Sequence, residues 1–447
     1  MVLGGRETPF MRVRTVGGNQ RKCTQMRAGA SALIILALVF GGVAPSSGYS
    51  VLTHEAIVDS AWVDAIVPVL RKGFPEATPD EIKAAHAYAY GGCAIQDLGY
   101  YPFGSHWFSD LVHYVRTGDF IEALIRDSHN VNELAFALGA LAHYAADNNG
   151  HRVAVNPSVG LLYPKLHRKF GAVVTYEDDP KAHLKTEFAF DVLQVARGHY
   201  APDDYRERIG FEVSEDLLQR AFLETYGVEL KSIFPDFPLA IASYRRAVSK
   251  DIPRATKVAW QIKKDDIQKE HPGTTQKAFL YHLSRASYER QWPKEYQKPS
   301  LWDRILAFLI RIVPKIGPLQ VLTFRTPTPE TERKFAASFN ASVTDYEGFL
   351  YQQKQTGRVA LLDDNFDTGS VTAPGEYPLA DKTYARLVDN LAKNKFANVT
   401  PEIRSAILNY YSDLSLPFAT KKDPKEWKRV TEELAELKES GPKVSLR

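Results

Sequence analysis

The sequence predicts an all-α protein, a bundle of many helices followed by a further helical region. Three observations carry this reading. Apolar residues recur at helical spacing along most of the 447-residue chain, whereas strict strand-like alternation is rare and short, as in Gly171–Tyr176. Three segments open with threonine, proline and an acid: Thr78-Pro79-Asp80, Thr328-Pro329-Glu330 and Thr400-Pro401-Glu402. Threonine caps free amides, proline suits the first helical turn, and the carboxylate complements the helix dipole. A hydrophobic content of 44% with 24% charged residues is enough to build a large core, which argues against broad disorder.

In chain order, the periodicity predicts helices over 53–72, 78–90, 106–116, 119–127, 131–148 and 184–197. Others are expected over 214–226, 238–248, 276–291, 301–313, 329–340, 383–393, 401–412 and 424–438. The stretch 354–382 mixes Gly, Asp, Pro and Thr and reads as a long loop. Leu301–Ile312 is apolar on one face and interrupted by Arg304 and Arg311, as expected of a core helix. Contact of that face with a membrane surface is the alternative.

The N-terminus has its own signature. Met26-Arg27 precedes the apolar run AGASALIILALVFGGVA and then small residues up to Gly48, the layout of a secretory signal. Residues 1–48 are expected to be removed, making Tyr49 the mature N-terminus and the protein exported, periplasmic or extracellular. That segment holds six Lys/Arg and one Glu, and the whole chain is +3, so the remainder is −2. A near-neutral surface gives no strong nucleic-acid signal. Cys23 leaves with the signal and Cys93 stays alone, so the mature chain has no internal disulfide and must be held by packing or bound metal.

The chemistry is concentrated between His54 and Glu187. The segment FALGALAHYAADNNGH carries His143, Asp147 and His151. Steps of four keep side chains on one helical face, and each step rises about 6 Å. Two histidines about 12 Å apart cannot both reach one zinc at about 2.0–2.1 Å. If all three bind, at least two ions are present, and Asp147 between them has two oxygens with which to bridge. His183 and Glu187 form a second four-residue pair in HLKTEFAFD. His54 opens the first mature helix, Asp97 sits in GGCAIQDLGYYP, and His106 and His113 are seven apart in SHWFSDLVHY. Imidazoles and carboxylates with almost no cysteine suit zinc, or another borderline metal, in a hydrolytic site. Tyr100, Tyr101, Phe103 and Trp107 cluster near Asp97, where they either wall a pocket or pack ordinarily.

The order of these motifs resembles the zinc-dependent phospholipase C family, which shares its fold with the fungal zinc-dependent single-strand nucleases. The catalytic module of glycosylphosphatidylinositol phospholipase D is also similar. The resemblance implies an all-helical phospholipase C/nuclease-like bundle holding three zinc ions. Carried over by motif, it makes Tyr49 the N-terminal ligand, where the family usually has Trp, and His54 the early histidine. It makes Asp97 a ligand or proton acceptor, and places His143, bridging Asp147 and His151 on one helix before the final pair, His183 and Glu187. The remaining histidine is His106 or His113; His106 is favoured because it precedes a helix and is followed by an aromatic. His167 has no carboxylate four residues on and is set aside. The likeness covers about 49–195, so 49–199 is expected to be a catalytic domain and 200–447 a helical region of unknown role. The activity it implies is phosphodiester hydrolysis, with a phospholipid or another phosphodiester as substrate and peripheral membrane contact. A single-strand nuclease and a non-catalytic zinc- or lipid-binding protein are the alternatives. Leu98 follows Asp97 where the bacterial enzyme has an aromatic, so the head group does not carry over.

Overall fold

The computed structural model describes residues 50–197, 199–200, 203–270 and 321–440. The expected signal segment 1–48, Tyr49, the helices over 276–291 and 301–313, and the apolar face of Leu301–Ile312 lie outside the described residues. The described chain is helical apart from one two-stranded hairpin, so the all-α expectation is met. None of its helices is long and apolar enough to cross a membrane.

Helix α1 (Val51–Ala61) is buried along its whole length. Helix α2 (Pro79–Gly92) starts at the anticipated cap: the Thr78 hydroxyl accepts from Glu81 N, and the Glu81 carboxylate accepts from Thr78 N. Helix α3 (His106–Tyr114), α4 (Thr117–Arg126) and α5 (Val131–Asn149) follow. Helix α5 is buried on nearly every side and packs against α2, α4 and α1. Beyond Asn149 the chain does not stop at the Asn-Asn-Gly. It makes a wide π-type turn, Gly150–Val155, and re-enters a helix at Asn156–Leu162. Helix α6 (Pro180–Arg197) closes the segment rich in candidate ligands. Gly171–Tyr176 is not a strand.

The later helices are α7 (Glu215–Tyr226), α8 (Phe237–Arg246), α9 (Ile252–Glu270), α10 (Pro329–Thr356), α11 (Pro378–Lys393), α12 (Pro401–Tyr410) and α13 (Pro424–Glu439). The sequence reading does not anticipate α9, whose apolar residues are diluted by lysines and acids. Helix α10 runs far past the expected end at 340. The polar segment Ser338–Thr344 suggests a break, but the hydroxyls of Ser338, Ser342 and Thr344 turn back onto carbonyls three or four residues earlier. Phe335, Phe339, Val343, Tyr346 and Leu350 keep one face buried throughout. That face lies on α5, where the Tyr346 hydroxyl donates to Leu138 O at 2.8 Å.

Between α10 and α11 lies the expected loop, with a short antiparallel hairpin pairing Asp364 with Val371 and Asn365 with Ser370. Local chemistry makes the turn. Asn365 Oδ1 accepts from Asp367 N and Thr368 N, and Gly369 takes φ +63°, where a side chain would be strained. The hairpin docks on the N-terminal half of the chain. Asp363 Oδ1 accepts from Gly118 N and Asp119 N at the start of α4, and Phe366 N donates to His113 O at 3.1 Å. The docked turn projects Phe366 and Asp367 toward the histidines.

Candidate metal centre

Eight of the expected ligands converge. Among the described residues, three buried groups have ligand atoms within 4.8 Å of one another: His54, His143 and Asp147; Asp97, His113 and His143; His151, His183 and Glu187. Asp147 is shared in the sense that matters for bridging. Its Oδ1 faces His54 Nε2 at 3.5 Å, while its Oδ2 faces His143 Nε2 at 3.0 Å and His113 Nε2 at 3.6 Å. His143 and His151 fall in different groups, as their rise along the helix requires.

Each ligand is held by its own element. His54 lies in the first turns of α1 and stacks on His143, ring centroids 4.3 Å apart. The start of α1 is fastened by Asp191, which accepts from Leu52 N and the Thr53 hydroxyl. Asp191 therefore steadies the segment carrying His54 rather than a histidine ring. Asp97 sits on a tight turn, Ile95–Tyr100, directly after α2. The Ser109 hydroxyl clips that turn to α3, donating to Gln96 O and accepting from Gly99 N. The Ser109 carbonyl in turn accepts from His113 Nδ1 at 2.8 Å, and the Cys93 carbonyl accepts from His143 Nδ1 at 3.0 Å. With the proton fixed on Nδ1, both rings present Nε2 to the carboxylates, as outer-shell partners of metal-bound histidines do.

The favoured histidine of the SHWF motif is not the one brought in. His106 begins α3 and is exposed. It touches the Tyr100 ring from outside, 5.4 Å between centroids. His113, two helical turns on, is fully buried between Asp97 and Asp147. An aromatic neighbour in sequence reports helix amphipathicity, not the direction of the site. His113→Ala is expected to lower zinc bound per chain, and His106→Ala to leave it at the wild-type value; metal analysis of the two purified variants checks both. Tyr49 lies outside the described residues, so its expected ligation stays an expectation.

The protonation pattern fits a cation site. Burial alone would lower the His113 pKa, but hydrogen bonds with Asp147 and Asp97 and their charges outweigh it and raise it to about 10. Burial pushes Asp97 up to about 6, partly offset by His113. Asp147 is held well below the usual carboxylate range; burial opposes this, and the His143 charge and the His113 and His143 hydrogen bonds prevail. Burial depresses His151 to about 4 and His183 to about 3, so these two imidazoles are neutral and ready to ligate at physiological pH. The donor set itself, neutral imidazoles and carboxylates without thiol, suits zinc. His151 Nε2 is buried without a hydrogen-bond partner, as a metal-facing nitrogen would be.

Several residues around the groups were not legible as site residues. Phe366 packs its ring 5.3 Å from His113 and 6.1 Å from His143. Tyr176 faces His183 at 5.8 Å and Tyr100 at 6.2 Å, and Tyr100 faces His113 at 6.1 Å, so two phenols span the gap between two ligand groups. Of the other aromatics near Asp97, Tyr101 packs on Tyr244 and Phe103 is exposed. Asp110 lies among His113, Arg386 and Asp367, and burial raises it to about 7. Arg116 pairs with Asp119 at 2.7 Å. Asn148 and Asn149 bond Asp364 and Asp345.

A family model described as zinc dependent phospholipase C matches residues 53–236. No curated protein and no solved structure matches the chain.

Proposed function

Residues 53–236 belong to the zinc-dependent phospholipase C family, and from that premise we propose that this protein is an exported hydrolase that cleaves phospholipids at a three-zinc site. The observation that carries the reading is Asp147, fully buried, with one oxygen toward His54 and the other toward His143 and His113. A carboxylate so placed would serve as a ligand to two cations. His151, His183 and Glu187 would hold a third, and His54, Asp97, His113 and His143 complete the donor set.

When bound, the ions supply Lewis acidity toward a phosphoryl oxygen and toward an attacking water. The residues supply position and proton transfer. Asp97 either ligates beside His113 or, raised to about 6 by burial with His113 partly offsetting it, takes the proton of the attacking water. The Ser109 and Cys93 carbonyls accept from Nδ1 of His113 and His143, so each ring turns Nε2 toward the carboxylates. Tyr100 and Tyr176 border the ligand groups and offer apolar ring area to a lipid's glycerol region. In phospholipase C-type cleavage, the water oxygen bonds to phosphorus, its proton passes to the base, and the glycerol oxygen leaves with a proton, giving diacylglycerol and a phosphorylated head group.

The test is elemental analysis of the purified chain beside parallel assays on phosphatidylcholine vesicles and a single-stranded oligonucleotide. Near three zinc per chain with diacylglycerol release supports the proposal. Oligonucleotide cleavage without lipid cleavage replaces it with a nuclease. Full metal occupancy without turnover of either leaves a zinc-binding protein that is not an enzyme.

A further inference from the structure

The loop between α10 and α11 lies outside the segment matched to the family, yet it reaches the third ligand group. Asp367 is fully buried, and a carboxylate in that setting is costly unless its oxygens are engaged. Its Oδ2 accepts the Tyr114 hydroxyl at 2.9 Å and the Tyr377 hydroxyl. Its Oδ1 has no hydrogen-bond partner and faces His151 Nδ1 at 3.3 Å. The other edge of that imidazole, Nε2, faces Asp147 Oδ2 at 3.8 Å, inside the cluster.

The main chain of the same residue reaches the second histidine of the group. Asp367 O accepts from Asn156 Nδ2 at 2.6 Å, and Asn156 Oδ1 lies 2.7 Å from His183 Nε2. An amide whose nitrogen donates to a carbonyl presents its oxygen on the other side, so His183 must carry its proton on Nε2. That leaves Nδ1, 2.6 Å from Glu187 Oε1, to ligate. His113 and His143 receive the same service from Ser109 and Cys93, carbonyls of the N-terminal half. His151 and His183 receive it from residue 367.

We infer that Asp367 is a positioning residue for the third metal ion, its carboxylate orienting His151 and its carbonyl, through Asn156, orienting His183. The inference rests on the proposed zinc site, and it makes the C-terminal region part of the metal centre. Asp367 is not among the ligand set His151, His183 and Glu187; it acts through them. The docked turn is built for this. Asn365 Oδ1 fixes Asp367 N at 3.0 Å, and two phenols hold the carboxylate from the side away from His151.

The test compares full-length wild type with Asp367→Ala, Asp367→Asn and Asp364→Asn. Zinc affinity is measured by chelator competition, and the visible spectrum is recorded after cobalt substitution. Losing an outer-shell partner weakens metal affinity about 10–100-fold. Asp367→Ala is therefore expected to weaken one equivalent by that factor and change one cobalt band, leaving the other equivalents intact. Asp367→Asn keeps an acceptor oxygen for Nδ1–H and is expected to recover most of the affinity. Asp364→Asn loosens the same loop at Tyr144 and Asn148 and is expected to leave every equivalent unchanged. Wild-type affinity in Asp367→Ala overturns the inference, as does weakening shared evenly among the ions or reproduced by Asp364→Asn. Asp367→Asn as impaired as Asp367→Ala overturns it in favour of direct ligation. A wild-type chain that takes up no zinc overturns the proposed function as well, whereas equal zinc in wild type and Asp367→Ala sinks this inference alone.

Discussion

Asp147→Asn removes two metal ions and abolishes hydrolysis: that is the largest single-residue effect expected of this protein. The carboxylate turns one oxygen toward His54 and the other toward His143 and His113. Asparagine preserves the volume but offers one oxygen and an NH2 that cannot ligate a cation. It also removes the negative charge that compensates the ions in a fully buried setting. The loss in affinity should exceed the about 10–100-fold typical of outer-shell changes. Elemental analysis and turnover measured on the same preparation check it. A variant that keeps wild-type zinc and activity would show that Asp147 only balances charge, and the site would need reassignment.

Gly139→Val should be among the most damaging changes outside the ligands. Helices α2 and α5 approach so closely that a Cβ at Gly139 would fall inside the envelope of the Ala89 carbonyl, and one at Gly92 inside that of Phe136. The obstacle is backbone, which cannot swing aside as a side chain would. Overpacking costs about 1–3 kcal/mol and sometimes more, and here the upper end is expected. Gly139 lies one turn before His143, and the same helix contact carries the Cys93 carbonyl to His143 Nδ1 at 3.0 Å. Separating the helices should therefore lower both the melting temperature and the zinc affinity. Gly348 on α10 is the control: nothing lies within 4 Å of a Cβ there. Gly348→Ala should leave zinc unchanged and gain up to about 1 kcal/mol from helix propensity. Thermal melts with and without chelator separate the two effects.

What could be read without coordinates follows a physical pattern. The Thr-Pro-acid starts of α2, α10 and α12 are local: cap, proline and carboxylate lie within four residues, and the structure uses all three. The pairs His143–Asp147 and His183–Glu187 are local too, because spacing of four on a helix brings side chains together whatever the remaining fold. Where tertiary burial outweighs local polarity, the expected boundary is too short: the helix expected over 329–340 runs to Thr356, because Phe339, Val343 and Tyr346 stay buried. In SHWFSDLVHY both histidines share a helix face, and only the packing of α3 against the Asp97 turn makes His113 the inner one.

The amino-acid sequence by itself determined the helical class, the ligand chemistry and the separation of His143 from His151 into different ion groups, because these depend on contacts within one or two helical turns. Tertiary structure alone decided that Asp147 faces two groups, that His113 rather than His106 enters the site, and that Asp367 approaches His151 from more than 200 residues away. The turn Asn365–Gly369 announces a hairpin, yet nothing within it specifies its destination. That depends on Asp363 capping α4 and on Tyr114 and Tyr377 meeting at one carboxylate, contacts that exist only once distant segments have packed together.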